Sequence, residues 1–225
     1  MCRLFKFVIF DCDGTLVDSQ HSIVAAMHKA YAAHGLPTPE RTQLLSIVGL
    51  SLHEAFHVLS NGQADFPIES LVAGYKAAFF AMRKSGTHFD PLFPGAREAI
   101  TALSRQSDVL LGIATGKSRR GLEAVLSLHG LRDNFHVIKT ADDAPSKPHP
   151  AMVIDAMNEA GVTPRDTIVV GDTVFDMKMA HAAGAVGIGV AWGYHQPSAL
   201  LQAGAATVLN DFPSLMPTLE QIWGR

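Results

Sequence analysis

Cysteine is scarce in this chain: 225 residues carry two, Cys2 and Cys12. That is too few for the disulfide framework of a small secreted domain. Cys12 sits between two acids and reads as a small buried hydrophobe rather than a reactive thiol. Basic charge is scarce too. Eighteen Lys and Arg against 21 Asp and Glu leave a net charge of −3 with no basic stripe, which excludes nucleic acid as a partner. Long apolar runs are missing. Arg3 and Lys6 precede Phe7–Phe10, but Asp11 ends that run far short of a signal-peptide core. The longest run of apolar and small residues, Ala182–Trp192, is too short to cross a bilayer. No repeat or low-complexity segment is present. The expectation is a soluble, cytoplasmic protein with no membrane partner, of unspecified oligomeric state, whose 48% hydrophobic content suffices for a full core.

Short apolar runs that stop at polar residues or glycine mark strands at Phe7–Phe10, Val109–Ala114, His136–Lys139, Thr167–Val170, Val186–Val190 and Thr207–Leu209. Helical spacing is clearest over Ala96–Arg105, Ser118–His129, Pro150–Ala160 and Phe175–Ala183. Gly130, Gly161 and Gly184 stand at three of the stops. Alternating strands and helices predict an α/β protein: a Rossmann-like parallel sheet with helices on both faces. Residues 19–88 break the alternation, since only helical patterns occur there. Ile23, Met27, Ala30 and Tyr31 recur at helical spacing, and Ser51 with Glu54 reads as a capping box. Ile68, Leu71, Val72, Tyr75, Ala78, Phe79 and Met82 form a stripe that reads as ordinary helix packing. About seventy residues exceed a simple crossover. The expected organisation is a discontinuous core, residues 1–18 and 89–225, with an all-helical cap, residues 19–88, inserted between hinges near Val17–Ser19 and Asp90–Gly95.

The run "FVIFDCDGTLVDS" carries a core-type strand straight into two carboxylates, Asp11 and Asp13. In an open parallel sheet, ligands bind beyond the carboxyl ends of the strands. Thr115 and Gly116 follow the second strand, Lys147 follows the third within "ADDAPSKPHP", and Asp172 and Asp176 follow the fourth. Singly, each residue is an ordinary turn former, cap or surface lysine. Together they put four acids at one edge, where they repel unless a cation sits among them. Oxygen-only donors without His or Cys suit Mg²⁺. Thr115, Lys147 and loop N–H groups are phosphate-type donors.

These segments resemble, in order and spacing, the four motifs of the haloacid dehalogenase superfamily in its phosphatase branch. They are "DCDGTLVDS", "LLGIATG", "SKPHP" and "VVGDTVFD". The helical insert resembles the cap of the phosphoglycolate phosphatase and β-phosphoglucomutase group. "GVAWGYH" resembles the phosphoglycolate phosphatase-like members. The resemblance implies an Mg²⁺-dependent phosphatase acting on a small phosphate monoester, with phosphoglycolate as the leading candidate. Asp11 would be the nucleophile that forms an aspartyl phosphate. Asp13 would be the general acid and then the base, and would hold the metal through its carbonyl. Asp172 would complete the metal shell with Asp11. Asp176 would support the metal directly or from behind, or orient Lys147. Thr115, Gly116 and Lys147 would bind the transferring phosphoryl group with the help of Gly14, whose freedom allows a tight turn. Thr15 would stabilise that turn. Relatives often carry Asn where this chain has Gly116, so a side-chain contact towards substrate is lost.

"SIVGLSLHEAF" resembles the cap loop that dips into the pocket. It offers Gly49, Leu50, Ser51 and His53 as specificity residues and is nearly neutral. Arg41, Arg83, Lys84 and Arg119 are the cations that could meet a second anionic group. A phosphomutase of the β-phosphoglucomutase type would share every core motif. A metal-independent haloacid dehalogenase would typically lack an acid at Asp13. A non-catalytic interaction module would fit a chain that had lost its nucleophile.

Overall fold

The computed structural model describes residues 5–85 and 90–224. Six parallel strands form one sheet: β1 (Lys6–Phe10), β2 (Val109–Ala114), β3 (Val137–Lys139), β4 (Thr167–Gly171), β5 (Val186–Val190) and β6 (Ala205–Leu209). Their spatial order is β3-β2-β1-β4-β5-β6. The chain steps outward from β1 to β3, then returns to place β4 on the other side of β1. A crevice opens at the carboxyl ends of β1 and β4, where the strand order reverses.

Burial on both faces explains the near-continuous apolar strands. Val8 and Phe10 of β1 join Leu111, Ile113, Val170 and Ile188 on one face. Helices α5 (Ala96–Ser104), α6 (Arg119–His129) and α10 (Leu215–Trp223) cover it, with Ile100, Leu122 and Leu219 fully buried. Phe7 and Ile9 point the other way, against Met152 and Val153 of α7 (Ala151–Ala160) and Met179 of α8 (Val174–Ala182). Helix α9 (Pro197–Gln202) packs Leu200 beside Met177. Gly130 and Gly161 end α6 and α7 in the left-handed conformation, at φ 61° and 67°. The expected elements all form. β6 starts two residues earlier than predicted, because Ala205 and Ala206 carry no β-branched or aromatic signal.

Between β1 and α5, the described residues hold helices only: α1 (Gln20–Ala33), α2 (Arg41–Ser46), α3 (Leu52–Leu59) and α4 (Ile68–Lys84). They bury a core of their own. Met27, Ala30 and Tyr31 meet Leu44, Phe56, Leu71 and Val72. Losing the Phe56 ring from such a site costs about 3–5 kcal/mol. Two strands of chain connect these helices to the sheet, and they are stitched together. Asp18 N–H donates to the Pro91 carbonyl at 2.8 Å, and Phe93 N–H donates to the Leu16 carbonyl at 3.0 Å. The predicted boundary at residues 88 and 89 lies outside the described residues, as do Cys2 and Arg3.

Ser51 is the N-cap of α3, but the expected capping box does not form. The Ser51 N–H, which Glu54 would take in such a box, instead donates to Ser146 Oγ on the core at 2.8 Å. The capping box of this region belongs to Glu40 and Gln43 at α2.

His195 makes a second bridge to the helical segment. Val174 N–H donates to its Nδ1 at 3.2 Å, so its Nε2–H donates to the Ser46 carbonyl at 3.1 Å. Burial pushes the ring pKa below its ordinary value, against smaller upward pulls from the Ser46 carbonyl and Asp176. The neutral ring is the one that fits. A folded pKa below the unfolded value gives stability that is complete above about 6.5 and is lost as pH falls through the folded value. At pH 7.5, wild type should be more stable than His195→Ala by about 1–2 kcal/mol. In urea titrations that advantage should shrink by pH 5; an equal advantage at both values would contradict the assignment.

Candidate active site

β1 is the central strand, and it delivers Asp11 into the crevice. Asp11 N–H continues the ladder by donating to the Val170 carbonyl at 2.9 Å. The chain then leaves the sheet, and the Cys12 N–H turns back to Asp11 Oδ1 at 2.6 Å. Lys147 arrives from the loop after β3. Its Nζ lies 3.0 Å from Asp11 Oδ1 and 2.6 Å from Asp176 Oδ1, with the lysine side chain fully buried. Burial alone would drive an ammonium to lose its proton, but the two carboxylates outweigh it and hold the Lys147 pKa above its ordinary value.

Asp172 follows β4 and is fixed at both oxygens. Thr15 Oγ1 donates to Oδ1 at 2.8 Å, and Tyr194 N–H donates to Oδ2 at 2.9 Å. Thr15 therefore braces an acid as well as standing in the turn. Gly14, at φ +84°, lies against Asp172, and any side chain there would strike the carboxylate. Asp176 is the third residue of α8. Its Oδ2 accepts the Thr173 N–H at 3.0 Å and the Thr173 hydroxyl at 2.6 Å, forming the capping box of that helix. With Oδ1 on Lys147 and Oδ2 on Thr173, Asp176 holds the lysine in place.

Ligand oxygens of Asp11, Asp172 and Asp176 lie within 4.8 Å of one another, all buried. Octahedral Mg²⁺ with bonds of about 2.1 Å sets its ligands about 3–4 Å apart, so a small contraction suffices. Asp11 Oδ2 is buried and has no hydrogen-bond partner. Burial, ahead of repulsion from Asp176, lifts Asp11 to about pKa 6 despite Lys147. Burial, then Asp176 and Asp11, lift the Asp172 pKa well above its ordinary value. An orphaned oxygen among strained acids, with oxygen donors only, fits a hard divalent cation. Burial likewise pushes the Cys12 thiol up, in keeping with a structural cysteine.

A cavity of about 310 Å³ opens over Asp11, Asp13, Thr115 and Gly116. Lys147, Asp172 and Asp176 lie behind Asp11 and do not line it. Of the predicted cap residues, Gly49 and Leu50 line it and Ser51 and His53 do not. His53 points instead to Glu69 at 3.2 Å on the exposed face. The α4 stripe packs as read, with Leu71, Val72, Phe79 and Met82 buried in the helical segment, and Tyr75 and Phe79 line the cavity as well. Of the four cations considered, Arg83 reaches the lining; Arg41 bonds Gln20, and Arg119 pairs with Asp143.

Lys117 went unnoticed in the sequence. Its Nζ lies 2.8 Å from both oxygens of Asp13, and 5.3 Å from the centre of the Phe79 ring. Burial pulls its pKa down, but Asp13, with smaller help from Cys12 and Asp90, holds it above the ordinary value. Its position two residues after Thr115, in a loop facing acids, was the available signal. The "WGYH" tail of "GVAWGYH" also proves to be bracing. Trp192 Nε1–H donates to the Thr15 carbonyl at 3.0 Å, Gly193 leaves room for Asp172, and the Tyr194 hydroxyl meets Ser19 at 3.2 Å.

Gly116 has a steric reason. The Gly49 and Leu50 carbonyls of the helical segment close on its Cα, so that a Cβ would overlap both. An Asn here has no room while that loop is down.

This fold and site are those of a known family. The model of the haloacid dehalogenase-like hydrolases matches residues 8–190, and the chain belongs to that family. Its relatives place it among the family's phosphatases. It is 35% identical over 213 residues to "Probable phosphatase IndB" of Dickeya dadantii, covering 93% of this chain and 91% of that protein. It is 31% identical to a phosphoglycolate phosphatase of Chromobacterium violaceum, covering 93% and 94%. Among solved structures, a hydrolase from Pseudomonas syringae superposes with a TM-score of 0.82 at 28% identity, covering 96% of this chain and 99% of that one. Among the described residues, no helix is long and apolar enough to cross a membrane.

Gly116→Asn should lift the 47–51 loop. Hydrogen exchange at its amides should accelerate and hydrolytic turnover should fall roughly 10–100-fold. Unchanged exchange would mean that the side chain finds room.

Proposed function

We propose that this chain is a Mg²⁺-dependent phosphatase that hydrolyses a small phosphate monoester through an aspartyl phosphate on Asp11. The observation that carries the reading is Asp11 Oδ2, a buried carboxylate oxygen without a partner at the floor of the cavity. Asp11 and Asp172 would hold the ion directly, with Asp13 contributing its carbonyl and Asp176 acting through Lys147. Bound there, Mg²⁺ would neutralise the acids and the transferring phosphoryl oxygens.

The residues supply the rest. The Asp11 carboxylate attacks phosphorus as the bond to the leaving oxygen breaks, and Asp13 gives that oxygen its proton. Asp13 then takes a proton from water, which attacks phosphorus and releases Asp11. Lys147 keeps Asp11 ionised in a setting that favours its neutral form. Thr115 and the Gly116 N–H steady the phosphoryl oxygens, where charge gathers in the transition state. Lys117 passes from Asp13 to the phosphate when substrate enters, which frees Asp13 to carry its proton. Residues 19–88 act as a cap that closes over this chemistry and sets substrate choice. A mutase would need polar cap groups to hold a sugar phosphate between two transfers; the apolar wall formed by Ile23, Tyr75 and Phe79 speaks against it. The presence of Asp13 speaks against a metal-independent dehalogenase.

Turnover of a phosphate ester should vanish in EDTA and return with Mg²⁺; full activity without metal would sink the mechanism. The sharper test is Asp13→Asn. With an alkyl phosphate its rate should fall by roughly 10²–10⁴. With acetyl phosphate, whose leaving group needs no proton, phosphorylation should proceed while hydrolysis stalls. Mass spectrometry should then find a phosphate on the peptide holding Asp11, absent in Asp11→Asn. Wild-type turnover of an alkyl phosphate by Asp13→Asn would mean that another group is the acid.

A further inference from the structure

Beyond the phosphate end, the cavity is apolar. Ile23 and Met27 from α1, Val48 from the cap loop, Leu52 from α3, and Tyr75 and Phe79 from α4 form its wall. Burial holds the Tyr75 phenol well above its ordinary pKa, so it presents a neutral ring. Besides the site acids, the charged groups that line it are Lys76, Arg83, Lys117, Arg120 and Asp142. Lys117 is spent on both Asp13 oxygens and faces phosphate. Arg83 donates to the Gly121 carbonyl at 3.2 Å. Arg120 is exposed and stacks on the Phe80 ring at 4.6 Å, at the mouth, and Lys76 is exposed. A substrate such as phosphoglycolate carries a carboxylate within two atoms of its ester oxygen. That charge would lie against this apolar wall at a cost in desolvation, and Arg83, which already donates to the Gly121 carbonyl, is the cation it would have to reach.

We propose that the substrate is a phosphate monoester with an uncharged, apolar body about the size of a single ring, rather than a compact ester with a second anionic group. The inference rests on the phosphatase reading above and assigns the class of molecule that its cavity selects. A volume of about 310 Å³ is at the small end of ligand sites and suits such a body. Gly116 completes the argument. It lets the Gly49 and Leu50 carbonyls close on the phosphate end, so the cap contributes backbone there and mainly hydrocarbon elsewhere, with Lys76 and Arg83 as its charged lining residues.

The test uses three esters that leave as similar primary alkoxides, so the chemistry at phosphorus is held constant: benzyl phosphate, methyl phosphate and 2-phosphoglycolate. With Mg²⁺, kcat/KM for benzyl phosphate should exceed both others by roughly 10–100-fold, the worth of burying a ring-sized apolar group. Leu52→Arg puts a cation into the wall and should lower the benzyl-to-phosphoglycolate ratio by tenfold or more. If wild type turns over 2-phosphoglycolate or methyl phosphate as well as benzyl phosphate, the substrate class is wrong and the phosphatase reading survives. If no ester is hydrolysed with Mg²⁺ present, the phosphatase reading fails and this inference falls with it.

Discussion

One buried ammonium organises this molecule. Lys147, fully enclosed, lies between Asp11, just past the end of β1, and Asp176, in the first turn of α8. A lysine is not carried into a protein interior without compensation. Here the compensation ties the loop after β3 to the end of β1 and to the first turn of α8. The same contacts keep Asp11 ionised where burial would protonate it. The site remains short of positive charge. Four acids, Asp11, Asp13, Asp172 and Asp176, face two lysines, Lys117 and Lys147, which leaves two negative charges uncompensated. One divalent cation closes that difference, and the unpartnered Asp11 Oδ2 is where it is felt most.

The helical segment meets this centre through backbone rather than charged side chains. Ser51 N–H reaches Ser146, next to Lys147, and the Ser46 carbonyl reaches His195, next to Tyr194, whose N–H holds Asp172. The backbone of the helical segment and the residues that order the acids therefore belong to one hydrogen-bond network. Gly116 sets how close the two can come, so a residue that reads as a lost substrate contact in the sequence is a clearance in the structure.

Much of the core was legible because its signals are local. A strand such as Phe7–Phe10 that ends in acids announces both its burial and its site. Helices that stop at Gly130 and Gly161 announce their ends. What stayed hidden depended on distant neighbours. Nothing near Ser51 tells that its N–H is taken by Ser146 rather than Glu54. Tyr75 and Phe79 obey the same helical spacing as Leu71 and Val72, and only the path of α4 over the cavity makes them wall as well as packing. Lys117 belongs to no motif, and only the fold sets its ammonium against Asp13. The four acids could be placed at one edge from topology alone, but the division of labour between Asp172 and Asp176 needed Thr15, Tyr194 and Thr173 in place.

The central claim, that the acid cluster is built around a missing divalent charge, is tested most directly by thermal unfolding of metal-free protein with and without Mg²⁺. The account predicts that Mg²⁺ at a hundredfold excess over its Kd raises the Tm of wild type by roughly 5–10 °C. It also predicts that Asp172→Asn, which removes one of the repelling charges, raises the metal-free Tm and abolishes the increment. A wild-type Tm indifferent to Mg²⁺, or an equal increment in the variant, would contradict it.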